Sequence, residues 1–190
     1  MKNINYKMCK QCKISPVYEF TNKIKLCKNC FIKYFQKKVL YTIRKFKMIK
    51  KDEVIGYEKK RDFRGVVLFD ILLMFSKKAM IEIIKLPTKK KINKKAVSST
   101  IDSESDKITH ILIKGKTSQL KEVSPINKKQ IKPLYLFLDE EVRLYAKLKK
   151  LKFKEEKIKQ DNISSFINDL EKKHPEIKRA IVNSYLELYN

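Results

Sequence analysis

The sequence predicts an α/β protein: a core built on a parallel sheet, preceded by a zinc-ribbon-like four-cysteine knuckle and followed by carboxy-terminal helices. Three observations predict it. The four cysteines of the chain fall in two tight pairs, Cys9-x-x-Cys12 and Cys27-x-x-Cys30. Residues 53–86 read strand, loop, helix, strand, the order of a βαβ unit. Beyond residue 136, apolar side chains recur at helical spacing to the carboxyl end.

Two C-x-x-C turns can close a tetrahedral sulfur shell around one ion. The intervening stretch, Lys13 to Leu26, is one residue shorter than the commonest spacing for such sites. Across residues 1–51 the only acidic side chain is Glu19. Four thiolates on one Zn²⁺ carry a formal charge of about −2, and surrounding ammonium groups favour that state. The competing readings are two disulfides or four buried thiols. The amino terminus has no apolar signal-peptide core, so a reducing, cytoplasmic setting is expected and disulfides are disfavoured. Zinc is the first choice; an iron–sulfur cluster uses the same four ligands.

A short hairpin is expected over Val17–Phe20 and Ile24–Leu26. The second cysteine pair runs into a helix, because Phe31, Phe35, Val39, Ile43 and Phe46 recur at helical spacing. Lys33, Lys37, Arg44, Lys45 and Lys47 fall largely off that stripe, either as a solvated face or as a surface for RNA phosphate. Glu53–Tyr57 reads as a strand, Val66–Phe75 as a buried helix and Met80–Leu86 as a strand of β-branched character. Residues 87–107 are lysine-, serine- and acid-rich, and are expected to form a flexible loop that buries too little to order itself. Residues 108–120 are ambiguous, and a strand is expected over Lys129–Leu134. The stripe Leu138, Val142, Tyr145, Leu148 predicts a helix over 136–151, with Asp139, Glu140 and Glu141 at its dipole-favoured start. Asn162 or Ser164 is expected to cap a further helix ending before Pro175, and Ile177, Ile181, Tyr185 and Leu186 mark a last one. The expected division is 1–50, knuckle plus basic helix, and 51–190, α/β core, loop 87–107 and terminal helices.

The 190 residues carry 46 Lys and Arg against 21 Asp and Glu, a formal charge of +25. Such a field draws polyanions, nucleic acid first among them. Only five of the basic residues are Arg, the usual tool for bidentate phosphate contacts, and an AT-rich coding sequence would produce the same lysine excess. No apolar run is long enough to span a membrane; the longest, Val66–Phe75, is interrupted by Asp70. With three glycines, Gly56, Gly65 and Gly115, a glycine-rich phosphate cradle cannot be assembled in the usual way. His110 and His174 have no recognisable catalytic partners, and nothing resembles a nucleophile with its base.

Three blocks resemble the cytoplasmic tRNA 2-thiolation protein 2 family, the non-catalytic subunit of the complex that thiolates wobble uridine. Cys9-Lys10-Gln11-Cys12, then Leu26-Cys27-Lys28-Asn29-Cys30-Phe31 and Tyr34-Phe35, is similar to that family's paired cysteines and aromatic-rich helix. Ile131-Lys132-Pro133-Leu134 with Glu141-Val142 and Tyr145 resembles its R-P-L segment and later E-V/I-x-x-Y. Ser165-Phe166-Ile167-Asn168-Asp169-Leu170 with His174-Pro175 resembles its terminal F-I-x-x-L and proline-led helix. The resemblance implies a pared-down PP-loop-like (adenine nucleotide alpha hydrolase-like) core. It further implies a catalytic partner that adenylates the uridine, a ubiquitin-like sulfur carrier acting through that partner, and tRNA contact through Lys33, Lys37, Arg44, Lys45 and Lys47. An active PP-loop reads S-G-G-x-D-S after the first strand. Here that place holds Glu58-Lys59-Lys60-Arg61-Asp62-Phe63-Arg64-Gly65, with large side chains at glycine positions and no serine, so no nucleotide chemistry is expected. Two alternatives stand beside this reading: a free-standing zinc-ribbon RNA- or ribosome-associated protein, and an active thiolase with an iron–sulfur cluster.

Overall fold

The computed structural model describes residues 8–155 and 161–189; residues 1–7 of the expected knuckle lie outside them. The knuckle is a two-stranded antiparallel hairpin, β1 (Tyr18–Glu19) and β2 (Lys25–Leu26), in the register Tyr18↔Leu26. It leads into α1 (Lys28–Lys45), whose buried residues include Phe31, Phe35, Val39 and Ile43. The βαβ unit follows as β3 (Val54–Glu58), α2 (Phe63–Ala79) and β4 (Glu82–Leu86), with β3 and β4 paired in parallel over five residues. Then come β5 (Lys94–Ala96), α3 (Ile101–Ile113), a 3₁₀ helix (Thr117–Val123), β6 (Ile126–Asn127), β7 (Gln130–Ile131), α4 (Asp139–Leu148), α5 (Asn162–Lys173) and α6 (Ile177–Tyr189). The main sheet has the order β4-β3-β5-β7-β6, parallel apart from the terminal β6–β7 hairpin.

The flexible loop expected over 87–107 is replaced by order: its middle is β5 and its end is the first half of α3. The reason is partners that lie far away in sequence. Lys94 donates to the Met48 carbonyl at 2.8 Å and pairs with Glu53 at 3.0 Å, and Lys95 pairs with Glu58 on the neighbouring strand. Thr100 caps α3 in a reciprocal bond pair with Ser103, and Asp102 and Glu104 sit in its first turn, the end a helix dipole favours for anions. The strand expected over Lys129–Leu134 is instead the tight β6–β7 hairpin, with Lys128 at φ 53° in its turn.

The connection from β4 to β5 carries no helix and crosses β3. Gly56 of β3 lies beneath it: a Cβ there would come within 2.8 Å of Ile92 Cδ1 and 3.1 Å of Leu86 Cδ2. One core joins α1, α2 and α4 to the sheet through Phe35, Val39, Ile55, Ile71, Ile131 and Tyr145. A second cluster packs α3, the 3₁₀ helix and α6 through Ile108, Leu120, Val123, Tyr135, Val182 and Tyr185.

Candidate metal centre

Local structure gathers the four thiols. Cys9 opens a tight turn: its carbonyl accepts from Lys13 N at 3.0 Å, its amide donates to Ile14 O at 2.8 Å, and Lys13 takes φ 58° to close the turn. Lys10 N donates to Lys25 O at 2.9 Å, which ties this turn to β2. Cys30 lies in the first turn of α1 and Cys27 is its N-cap residue, where unpaired amides and the helix dipole favour thiolate. All four Sγ atoms lie within 4.8 Å of one another, with Cys12–Cys27 at 3.3 Å and Cys12–Cys30 at 3.6 Å. Zinc–sulfur bonds of about 2.3 Å in a tetrahedron put sulfurs about 3.8 Å apart, so the cluster is sized for one ion. Cys9, Cys27 and Cys30 are buried and Cys12 is exposed.

The thiols share protons unevenly. Burial opposes ionisation of Cys9, but backbone amides of Cys27, Gln11 and Cys12 outweigh it and bring the thiol down to about 6. Backbone donation from Cys30 also lowers Cys27. Burial first, then the neighbouring sulfurs, push Cys30 up to about 12. A central cation would take the place of the protons these crowded sulfurs otherwise keep. The donor set fits zinc or iron–sulfur chemistry. Because the chain has no other cysteine, any cluster held by its thiolates is held here.

The knuckle is moored to the rest of the molecule. Phe31 is fully buried against Tyr18 at 5.2 Å, and Phe35 stacks on Tyr145 of α4 at 4.1 Å. Tyr18 donates to Glu140. Lys38 and Arg179 converge on the buried Glu141 carboxylate at 3.3 and 3.1 Å. Lys38 therefore faces inward, away from the basic surface its neighbours form. Lys33, Lys37, Arg44, Lys45 and Lys47 are all exposed, and none pairs with a carboxylate among the described residues. The structure brings the four cysteines together; it places the five cations along one helix and its end, without convergence on a cavity.

The loop after β3 is filled by its own side chains. Asp62 caps α2 by accepting from Gly65 N at 2.8 Å, so that amide serves the protein. A Cβ at Gly65 would lie 2.5 Å from Lys60 Cβ, so Lys60 already packs on the glycine. A cavity of about 340 Å³ remains beside it, lined by Lys60, Asp62, Arg64, Ser98, Ser99 and Lys107. It sits at the carboxyl ends of β3 and β5, where ligands enter open parallel sheets. Arg64 is held by Asp139, which also accepts from Thr100 Oγ1 at 2.7 Å. Asp139–Glu141 thus starts α4 and braces its neighbours, as expected of a helix start. His110, which had no recognisable partner in sequence, lies 2.6 Å from Asp161 through Nε2 and 2.8 Å from the Asp106 carbonyl through Nδ1. That pairing links α3 to the cap of α5, across a sequence distance that hides it from any spacing rule.

Fold and site together define an α/β protein with a mostly parallel five-stranded sheet and a four-cysteine knuckle that could hold a metal ion. No protein-family model and no curated protein matches the sequence. Among solved structures the chain is similar to the U34-tRNA thiolase NcsA from Methanococcus maripaludis with its [4Fe-4S] cluster. The TM-score is 0.75 and the identity 19%, over 96% of this chain and 87% of that one. At that identity the likeness is one of fold.

Proposed function

We propose that this chain is a non-catalytic subunit of a cytoplasmic tRNA 2-thiolation complex. It supports 2-thiolation of wobble uridine by stabilising a catalytic partner and presenting a basic surface to tRNA. The observation that carries the reading is the state of the loop after β3. A fold similar to that of a tRNA thiolase has, where phosphate would be cradled, Asp62 bonded to the Gly65 amide and Lys60 packed on Gly65. Adenylation of the uridine then falls to the partner, and the ubiquitin-like sulfur carrier serves that partner. The knuckle, locked to α4 and α6 through Glu140 and Glu141, keeps α1 and its cations in a fixed orientation.

Affinity purification from the native cell tests the reading, with wobble-uridine thiolation measured after depletion. Recovery of a partner carrying an intact S-G-G-x-D-S loop, with loss of thiolation, is expected. Unchanged thiolation with ribosomal RNA recovered instead would favour a free-standing zinc-ribbon protein. ATP-dependent thiolation by the isolated chain would overturn the non-catalytic role.

A further inference from the structure

Tyr41 is the exception on α1. The aromatic residues of this helix pack inward or against the hairpin; Phe31 and Phe35 are fully buried. Tyr41 is 56% exposed, on the side opposite the buried stripe. Its four helical neighbours at i−4, i−3, i+3 and i+4 are Lys37, Lys38, Arg44 and Lys45. Lys45 Nζ stands 6.0 Å from the ring centroid, and α1 contains no acidic residue. Lys33, Lys37 and Arg44 share the outward face at helical spacing, a strip of roughly 16 Å at 1.5 Å per residue. Among these neighbours only Lys38 has a carboxylate partner among the described residues. The strip therefore combines unneutralised positive charge with an aromatic ring in contact with water.

We infer that this face binds single-stranded RNA, with an unpaired base stacked on Tyr41 and backbone phosphates on Lys33, Lys37 and Arg44. The inference deepens the tRNA-contact part of the proposed function, on which it rests, by naming the form of RNA. Cations alone would not favour a single strand, because a duplex offers the denser array of phosphates. An exposed ring adds that preference. Every base offers a π-face, but in a duplex that face is covered by its neighbours, whereas an unpaired base is free to stack. The cationic surround suits the ring to this task, since phosphates flank every stacked base. The role assigned to Tyr41 is stacking, so its hydroxyl is dispensable.

The test measures binding of the full chain to a labelled oligouridylate and to an RNA duplex over a salt series. Tyr41→Ala is expected to weaken oligouridylate binding roughly five- to hundredfold, the range of one lost base–aromatic stack, with duplex binding and the salt slope unchanged. Tyr41→Phe should bind as the native chain does. Lys33→Gln with Lys37→Gln should weaken both probes and flatten the single-strand salt slope by about 0.7 for each phosphate no longer neutralised. Metal content and circular dichroism check that the variants fold; the exposed position makes Tyr41→Ala a safe replacement. Oligouridylate binding unmoved by Tyr41→Ala, or an equal loss on both probes, would overturn the inference. A native chain that binds neither probe would also overturn it, while partner recovery and cellular thiolation decide the subunit role separately.

Discussion

The knuckle and the α3–α6 layer both bury polar groups, and they balance their charge in opposite ways. In the knuckle three of four thiols are buried around a shared centre, and a cation from outside would supply the balancing charge. In the layer the charge is internal. Lys132 is 2% exposed, and its ammonium donates to Glu104, to Glu122 O and to Val123 O, each at 2.9 Å. Burial draws that ammonium below its usual range, against the pull of Glu104. Lys178 bridges Asp102 at 2.8 Å and Glu171 at 2.6 Å. A site completed by a ligand needs only half of its electrostatics in the sequence. A layer completed by its own residues needs all of it, spread over distant segments.

The largest effect is expected where the outside cation is removed. Cys27→Ser with Cys30→Ser should abolish stoichiometric metal, read by elemental analysis, and make the hairpin susceptible to limited proteolysis, because structural zinc supplies on the order of 10 kcal/mol to such knuckles. Full metal content in that variant would refute the centre. Next, Glu104→Ala strands the buried Lys132 ammonium and should cost about 3–5 kcal/mol in urea unfolding. Glu104→Leu with Lys132→Met should recover most of that loss, since an apolar pair of similar volume often replaces a buried ion pair without penalty. An unmoved urea midpoint in Glu104→Ala would mean that the layer does not depend on this pair. Asp62→Ala removes the cap of α2 and should cost about 1 kcal/mol. It should not create ATP binding, because Lys60 still packs on Gly65; calorimetry with ATP reads this directly.

The smallest effect is a pH dependence at the α3–α5 link. The Asp161 carboxylate first, then the Asp106 carbonyl, raise His110 above its ordinary value. The folded chain therefore favours the protonated ring. That stabilisation is complete below about pH 6.5 and is lost as pH rises through the folded-state value. His110 first, then the Ser164 amide, hold Asp161 below the usual carboxylate range, so its contribution is present above about pH 4 and fades as pH falls through its lowered value. The stability difference between the native chain and His110→Gln should be greater at about pH 6 than at about pH 8.5. A difference independent of pH would show that the link carries no charge.

The same contrast explains what could be read in advance. The hairpin, α1, β3, α2, β4, α4 and α6 are legible because periodicity and β-branching are local signals. Their boundaries shift by a few residues: α4 begins at Asp139, three residues inside the expected span, and Asp161 caps α5 where Asn162 or Ser164 was expected. The segment 87–107 is illegible because its residues are polar and their partners are distant. Glu53 and Glu58 neutralise the lysines of β5, while Lys132 and Lys178 neutralise the acids of α3. One trace was present: Ile101 and Ile108, seven residues apart, lie on one helix face and are both buried. Tyr41 also left a trace, as an aromatic off the apolar stripe between Lys37 and Lys45.

The sequence by itself determined the four-cysteine cluster, the βαβ unit and the absence of a glycine cradle, since each depends on residue type at short spacing. The tertiary structure alone decided which charges are spent and which remain free. Lys38 is turned inward to Glu141 while Lys37, its neighbour, stays in water. A salt bridge is chosen by distance in space, and only the folded chain sets that distance.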